Sequence, residues 1–278
     1  MSIFYQILVL ILFISSVLQF SCLAQNGNYQ LGARAVGMAN TSVTLDDPYS
    51  VFNNVGGIAG VENTSLLFSY QNRYQLSEFN TIGTGIIKPF AFGTLGFSLF
   101  RFGSSLFNEQ KLGLGFGNKF GIASLGAQIN YLQLNVEGFG SKGLMVLEFG
   151  GIAELTPQLF IGAHIFNINQ AKVSSTFDEK IPTVIKAGIS YRPFSKLMLN
   201  IETEKDIDFD PVFKAGLEYL IIDQVSFRTG ITADPFQNFW GLGFNARNVI
   251  IDYSFSIDSD LGNVHQLSLV YQLKKREA

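Results

Sequence analysis

The sequence predicts an all-β protein, a transmembrane antiparallel β-barrel of about 14 strands with a short N-terminal hatch inside it. Three observations lead to this prediction. Charged residues make up 15% of the 278 residues, well below the roughly 25% of soluble domains. The chain begins with one apolar segment. From about residue 64 onward, apolar residues then recur at every second position.

The composition excludes several classes of protein. A chain this apolar and this poor in charge does not remain disordered. The single Cys excludes a disulfide scaffold and a Cys-rich metal or iron–sulfur protein. The net charge of −3 offers no electrostatic footprint for nucleic acid. We therefore expect no nucleic-acid partner and no cofactor.

Residues 1–24 are interpreted as a cleaved signal peptide. The run from Ile3 to Phe20 is largely apolar, and the small residues Cys22 and Ala24 suit cleavage after Ala24. Two alternatives stay open: a retained membrane anchor, or a lipoprotein acylated at Cys22. No later stretch offers the roughly 20 mostly apolar residues that a spanning helix needs. Strands are therefore the candidates for crossing a membrane.

The barrel is assigned to residues 63–273 because the alternation there has period two. Residues 249–258 are a clear case, with Val, Ile, Tyr and Phe on one face and Asp and Ser on the other. Short turns divide the region into about 14 candidate strands, and a count of about 12 would also fit. A soluble β-sandwich alternates as well, but its polar face usually carries many Lys and Glu. The second face here is mostly Gly, Ser and Asn.

These strands are expected to cross the bacterial outer membrane. A charge that faces lipid at the midplane costs about 2–4 kcal/mol, and the alternating segments keep their charges off the apolar face. Aromatic residues recur near strand ends, as in the girdles of outer-membrane barrels. Outer-membrane lipid is therefore an expected partner. Residues 274–278 form a basic tail after the closing strand.

The residues opposite the apolar face are expected to fill the lumen. In the C-terminal half they carry charges of both signs, which predicts ion pairs such as Glu202 or Glu204 with Lys214. The inward charges are Lys186, Arg192, Glu202, Glu204, Lys214, Glu218, Arg228 and Asp252. In the N-terminal half the inward face is more apolar and could receive a plug or a hydrophobic ligand. Its residues are Phe100, Leu132, Phe160 and Phe166.

The plug candidate is residues 25–62, which we expect to pack inside the barrel as a hatch. Asp47 suits a helix N-cap, Pro48 suits the first helical position, and two glycines at 56–57 supply a stop. A helix of about two turns is therefore predicted. The hatch charges expected to pair with lumen charges are Arg34, Asp46 and Asp47. The alternative is a mobile periplasmic tail.

No catalytic or metal-binding pattern is apparent in the sequence. The two histidines, His164 and His265, lack a recognisable triad, so both are interpreted as structural. Metal-ligand spacing is also absent. An acidic cluster of Asp206, Asp208 and Asp210 could bind a divalent cation, although an exposed acidic loop is the favoured interpretation. The sequence therefore predicts a protein that is not an enzyme.

The hatch segment resembles the N-terminal signature of the PorV/PorQ family, FadL-like outer-membrane proteins of Bacteroidetes. The matching stretches are Gly32-Ala33-Arg34-Ala35-Val36-Gly37-Met38, Asp46-Asp47-Pro48 and Asn54-Val55-Gly56-Gly57-Ile58-Ala59-Gly60. Val55 stands where the family pattern has Pro, Gly56 where it has Ala, and Ala39 where it has Gly. The closing residues 264–269 also resemble the family's last strand. The hatch residues that this match singles out are Arg34, Asp46, Asp47, Asn54 and Gly57.

The resemblance implies a barrel with an N-terminal hatch that acts in type IX secretion as a protein-binding component or accessory. Members of the family receive the C-terminal signal domain of a secreted cargo or help to anchor the attachment machinery. Other secretion-system proteins or cargo signal domains are therefore expected partners. More distant FadL relatives move long-chain fatty acids. This gives the alternative function, a channel for hydrophobic small molecules.

Overall fold

A computed structural model describes residues 29–173, 181–233, 235–258 and 261–273. The chain forms a closed barrel of 14 antiparallel strands. The strands are β1 (Thr64–Arg73), β2 (Thr81–Phe90), β3 (Gly93–Gly103), β4 (Phe107–Phe120), β5 (Ala123–Val136), β6 (Gly140–Thr156), β7 (Leu159–Phe166), β8 (Val184–Phe194), β9 (Leu197–Asp206), β10 (Val212–Ile222), β11 (Val225–Thr232), β12 (Gln237–Ala246), β13 (Val249–Asp258) and β14 (Gly262–Leu273). Each strand pairs with the next, and β1 pairs with β14 to close the barrel.

This topology confirms the predicted fold class and a count of 14 strands, not 12. A sandwich would leave open sheet edges, whereas a closed barrel leaves none. No helix among the described residues is long and apolar enough to cross a membrane. The predicted signal peptide at 1–24, the first hatch residues at 25–28 and the basic tail at 274–278 lie outside the described residues.

The two ends of the barrel differ in the length of their connections. At one end, the short-turn end, strands are joined by the two-residue connections 91–92, 121–122, 157–158, 195–196, 223–224 and 247–248. At the other end, the long-loop end, the connections are 74–80, 104–106, 137–139, 167–183, 207–211, 233–236 and 259–261. β1 begins and β14 finishes at the short-turn end, so the hatch joins the first strand there.

The strands separate an apolar outer face from a polar inner face, as their alternation predicts. In β5, Leu125, Ile129 and Tyr131 are exposed on the outside, while Gln128 and Asn130 are buried inside. The same alternation holds in the other strands, whose exposed side chains are mostly Leu, Ile, Phe and Tyr. Exposed apolar side chains on every second residue form the surface that a bilayer would cover.

The hatch fills the barrel from residue 29 to residue 63 and is almost entirely buried, which excludes a mobile tail for this segment. It contains two one-turn helices, α1 (Ala33–Val36) and α2 (Ser50–Asn53), and a 3-10 helix (Val55–Gly60). The predicted helix after Asp47 is therefore shorter than two turns. The backbone becomes extended at Asn54 (φ −149°), so α2 stops before the glycines that were expected to end it.

A ring of small inward residues makes room for the hatch. On many of the strands that the hatch crosses, a β-carbon added to an inward glycine would overlap the hatch. At Gly126 that atom would lie 2.5 Å from the carbonyl oxygen of Val55. The glycines in contact with the hatch are Gly83, Gly96, Gly115, Gly117, Gly126, Gly150, Gly162, Gly188, Gly216, Gly230 and Gly241. The high glycine content of the chain thus supplies the space for the hatch.

Candidate functional site in the barrel lumen

Glu202 on β9 holds the hatch in place through backbone hydrogen bonds. Its Oε2 accepts from the N–H groups of Ser42 at 2.7 Å and Val43 at 2.8 Å. The predicted alternative for Glu202, an ion pair with Lys214, is not formed, because the carboxylate is directed at the hatch. Lys214 pairs instead with Glu204 at 2.7 Å, as the other alternative predicted.

Two residues of the sequence signature stabilise the hatch from within. The Asn54 amide donates to the carbonyl oxygens of Val43 in the hatch and of Gly151 on β6, the latter at 3.1 Å. Gly57 packs against the Leu45 carbonyl and the Ser50 side chain, where a β-carbon has no space. These positions therefore have a structural role in fitting the hatch to the wall.

Three carboxylates and two guanidinium groups form an ion-pair network at the short-turn end. Arg34 of the hatch pairs with Glu218 at 2.6 Å and with Asp47 at 3.2 Å. Glu218 also accepts from Arg228, which pairs with Asp252 at 2.7 Å. Burial raises the pKa of Asp47, and the charge of Arg34 opposes that shift. Asp47 thus meets its partner inside the hatch, whereas Arg34 ties the hatch to β10.

Arg192 forms a second contact between hatch and wall at this end. Its guanidinium lies 3.9 Å from the Asp46 carboxylate, 3.3 Å from the Thr44 carbonyl oxygen and 4.0 Å from the ring centre of Phe160. Phe160 was predicted to share an apolar face with Phe100, Leu132 and Phe166. The grouping is wrong for Phe160, because it stands at the other end of β7 from Phe166 and packs under a cation.

The long-loop end is closed by an apolar cluster. Phe100, Leu132 and Phe166 are buried there together, as predicted. Tyr29 of the hatch inserts between two of them, with ring centres 5.3 Å from Phe100 and 5.2 Å from Phe166. Other members are Val146, Val184 and Ile181. A cavity of only about 20 Å³ remains beside this cluster, against about 400 and 260 Å³ for two cavities next to Arg34 at the short-turn end.

Sequence reasoning missed a buried ionic group just below the apolar cluster. The Lys111 ammonium lies 3.1 Å from one oxygen of Glu148, and His164 Nε2 lies 3.2 Å from the other. Lys111 also lies over the rings of Tyr29 and Phe166, at 5.2 and 5.4 Å. The sequence contains a signal for this group, because Lys111 and Glu148 lie on the same strand faces as the inward glycines of β4 and β6. The carboxylate partner of His164 lies on the neighbouring strand, so the residues around His164 in the sequence do not reveal it.

The remaining candidates occupy separate places. Lys186 is buried on β8 between its cross-strand neighbours His164 and Glu204. His265 lies on the outer face, where its Nδ1 is 2.7 Å from the Tyr253 hydroxyl. Asp206, Asp208 and Asp210 lie at the exposed β9–β10 connection. Within the described ranges no three His, Cys, Asp or Glu side chains are placed to hold a metal ion.

Comparison with known proteins finds structures of similar fold among outer-membrane channels. No family model and no curated protein matches the sequence. The monoaromatic hydrocarbon channel CymD is similar with a TM-score of 0.66 at 12% identity, over 88% of this chain and 98% of that chain. A FadL homologue of Pseudomonas aeruginosa gives 0.60 at 12% identity, over 89% and 100%. The Pseudomonas putida toluene transporter TodX gives 0.60 at 8% identity, over 86% and 96%.

At these identities the likeness shows the fold and no more. The architecture is the closed 14-stranded barrel of FadL-like outer-membrane proteins. The three similar structures are a hydrocarbon channel, a FadL homologue and a toluene transporter.

Proposed function

We propose that this protein is an outer-membrane channel for small hydrophobic molecules. The observation that carries the proposal is the apolar cluster around Phe100, Leu132 and Phe166, which lies inside the lumen on one side of the hatch. A lumen that conducts only water and ions has no need of buried aromatic side chains, whereas an apolar chamber suits an apolar solute. The barrel's similarity to hydrocarbon channels supports the same function.

The position of the cluster fits uptake from outside the cell. Outer-membrane barrels have short periplasmic turns and longer extracellular loops, so the long-loop end faces outward. The apolar cluster is then the first part of the lumen that an incoming molecule meets. The hatch follows, and the cavities beside Arg34 lie on the periplasmic side.

We infer that such a channel would be closed in this structure. Tyr29 occupies the space between Phe100 and Phe166 where a hydrophobic molecule would lie. Because the hatch contacts the glycine ring around the wall, a solute can pass only when part of the hatch moves. We expect the segment around Tyr29 to be that part, since it borders the apolar cluster directly.

Uptake by intact cells tests the proposal. The full-length protein is expressed in an outer membrane that lacks its own hydrophobic-uptake channels, and entry of labelled toluene and of a labelled long-chain fatty acid is measured. We expect faster entry of at least one of them than in cells without the protein. Phe166→Asp should reduce that entry about tenfold or more, because it buries a carboxylate in the apolar cluster.

Phe160→Asp is the matched control. The same substitution at the other end of β7 places the carboxylate beside Arg192, outside the cluster, so uptake should stay near the wild-type rate. Heat-modifiable gel migration establishes that both variants form barrels. Equal uptake with and without the protein, in folded form at the surface, would contradict the proposal.

A role in type IX secretion is the second candidate, and it rests on the hatch signature from Gly32 to Gly60. Arg34, Asn54 and Gly57 of that signature make contacts that hold the hatch in the barrel. The structural role of these residues in seating the hatch is thus enough to explain the resemblance. Purification of the protein from its native membranes distinguishes the two candidates: secretion subunits or cargo signal domains in stoichiometric amount would favour secretion, and isolation as a lone barrel would favour the channel.

A further inference from the structure

The outer surface of β2 to β5 changes from apolar to polar toward the long-loop end. Strand register places the outward side chains in rows that run across neighbouring strands. Ile86, Phe97, Leu114 and Ile129 form a fully apolar row, and Thr84, Leu99, Leu112 and Tyr131 form the next. Nearer the end follow Ile82, Arg101, Gln110 and Gln133, and then Asn108 and Asn135. The row that contains Arg101 therefore lies where the membrane interior meets its head groups.

Arg101 differs from the other outward-facing cations of the strands. Lys88 lies over the Phe90 ring at 5.0 Å, at the short-turn end. Lys205 donates to the Phe209 carbonyl oxygen at 2.6 Å. For Arg101, no hydrogen bond or ion pair is formed with any residue that the structure describes. No Asp or Glu faces outward on the described strands.

An array of amide side chains lies next to Arg101 on β4 and β5. Gln110 donates to Asn108 at 3.0 Å, Asn135 donates to Asn108 at 2.9 Å, and Gln133 donates to Asn135 at 3.2 Å. These bonds hold the amides in fixed positions and leave the carbonyl oxygens of Gln110 and Gln133 able to accept. Hydroxyl groups are the donors that such an array suits.

A groove of about 390 Å³ runs between the Arg101 row and the apolar row beneath it. Leu99, Leu112 and Tyr131 line its lower part. The groove thus combines an unpaired guanidinium, fixed amide acceptors and an apolar surface. Each of these matches one part of a lipid that carries a phosphate, a sugar and acyl chains.

We propose that this groove binds a phosphorylated, acylated sugar lipid of the outer leaflet. The guanidinium pairs with the phosphate through two parallel hydrogen bonds. Sugar hydroxyls donate to Gln110 and Gln133, and the acyl chains lie along Leu99 and Leu112. The proposal rests on the outer-membrane location and on the outward orientation of the long loops. It is independent of transport, because the groove is on the outside of the wall.

Native mass spectrometry of the purified full-length barrel tests the site. Lipid A, phosphatidylglycerol and phosphatidylcholine are titrated separately, and the bound fraction is measured. We expect one lipid A to bind more tightly than phosphatidylglycerol, and phosphatidylcholine to bind weakly. Arg101→Gln should weaken lipid A binding about tenfold, as expected for loss of a charge-assisted contact. Arg101→Lys, which keeps the charge but loses the planar fork, should weaken it about threefold.

Two further variants give the test its specificity. The double variant Gln110→Leu with Gln133→Leu should remove the preference for lipid A over phosphatidylglycerol. Its binding of phosphatidylglycerol should be unchanged. Lys88→Gln, at the opposite membrane interface, should leave lipid A binding unchanged. Equal binding of lipid A and phosphatidylglycerol to the wild type would overturn the proposal. So would unchanged binding to a folded Arg101→Gln variant, or equal losses in that variant and in Lys88→Gln. Transport assays do not enter these outcomes, so the channel proposal stands or fails separately.

Discussion

The two ends of the lumen hold their charges in different ways. At the long-loop end, Lys111 and Glu148 are sealed from solvent, with side chains 1% and 2% exposed, and aromatic rings cover them. At the short-turn end, Arg34 is 27% exposed and borders two cavities. A buried ion pair depends on its partner because water cannot replace it, whereas a partly solvated pair can separate at modest cost. The ion pair at the long-loop end should therefore be the harder of the two to break.

The largest effect is expected when the buried ion pair of Lys111 and Glu148 is broken. Glu148→Gln leaves Lys111 buried without its counter-charge and should lower the free energy of unfolding by about 3–5 kcal/mol. Denaturant unfolding in detergent, followed by gel mobility, measures the change. The double variant Lys111→Met with Glu148→Gln removes both charges and should recover much of the loss. A Glu148→Gln barrel as stable as the wild type would show that the pair is not sealed.

A second effect concerns the hatch that separates the two ends. Gly126→Leu places a side chain against the Val55 carbonyl and should cost about 1–3 kcal/mol through overpacking. The displaced hatch should also become accessible to protease added from the short-turn side. Ala127→Leu, on the next residue and facing outward, is the matched control and should change neither property. If both variants behaved alike, the glycine ring would not be what seats the hatch.

A smaller effect is expected for the solvated end. Arg34→Met removes the pairs with Glu218 and Asp47, but Glu218 keeps its hydrogen bond from Arg228 and Asp47 is partly exposed, so we expect a loss of about 1 kcal/mol. The same unfolding assay measures it, with Lys196→Met, an exposed cation at the same end, as the control. A loss as large as that of Glu148→Gln would abolish the distinction between the two ends.

The smallest effect is expected in a comparison of the stability lost on substituting each of the two phenylalanines of β7. Phe160→Leu removes the stacking of Arg192 and should cost about 0.5–1 kcal/mol. Phe166→Leu should cost more, because it removes ring contacts with both Tyr29 and Lys111. Comparison of the two unfolding midpoints tests the order. The reverse order would place the apolar centre of the lumen at the short-turn end.

Much of the wall could be predicted because strand pleating forces a period of two. The segment 249–258, chosen for its alternation, is β13 with the same bounds. The alternation also placed Glu202, Glu218 and Asp252 inside, where all three are buried. The hatch was predictable for a related reason: a short segment that is rich in small residues and has little core of its own can be buried against the glycine-lined face of the barrel.

The contacts within the lumen could not be predicted in the same way. Alternation gives the face of a strand on which a residue lies, but not its height in the barrel or its neighbour across the lumen. Phe160 and Phe166 share one face of β7 and yet lie at opposite ends. Glu202 was expected to meet Lys214, but the hatch offers it two backbone N–H groups. Those donors belong to the path of the hatch and leave no trace in the strand pattern.

The amino-acid sequence alone therefore determined that this chain is an outward-apolar barrel with charges and glycines inside, because the cost of exposing ions to lipid and the pleat of a strand are both local rules. The tertiary structure decided which charges meet, where the apolar cluster closes the lumen and which outward cation lacks a partner. Those features depend on strand register and on the course of the hatch, which bring together residues far apart in the chain.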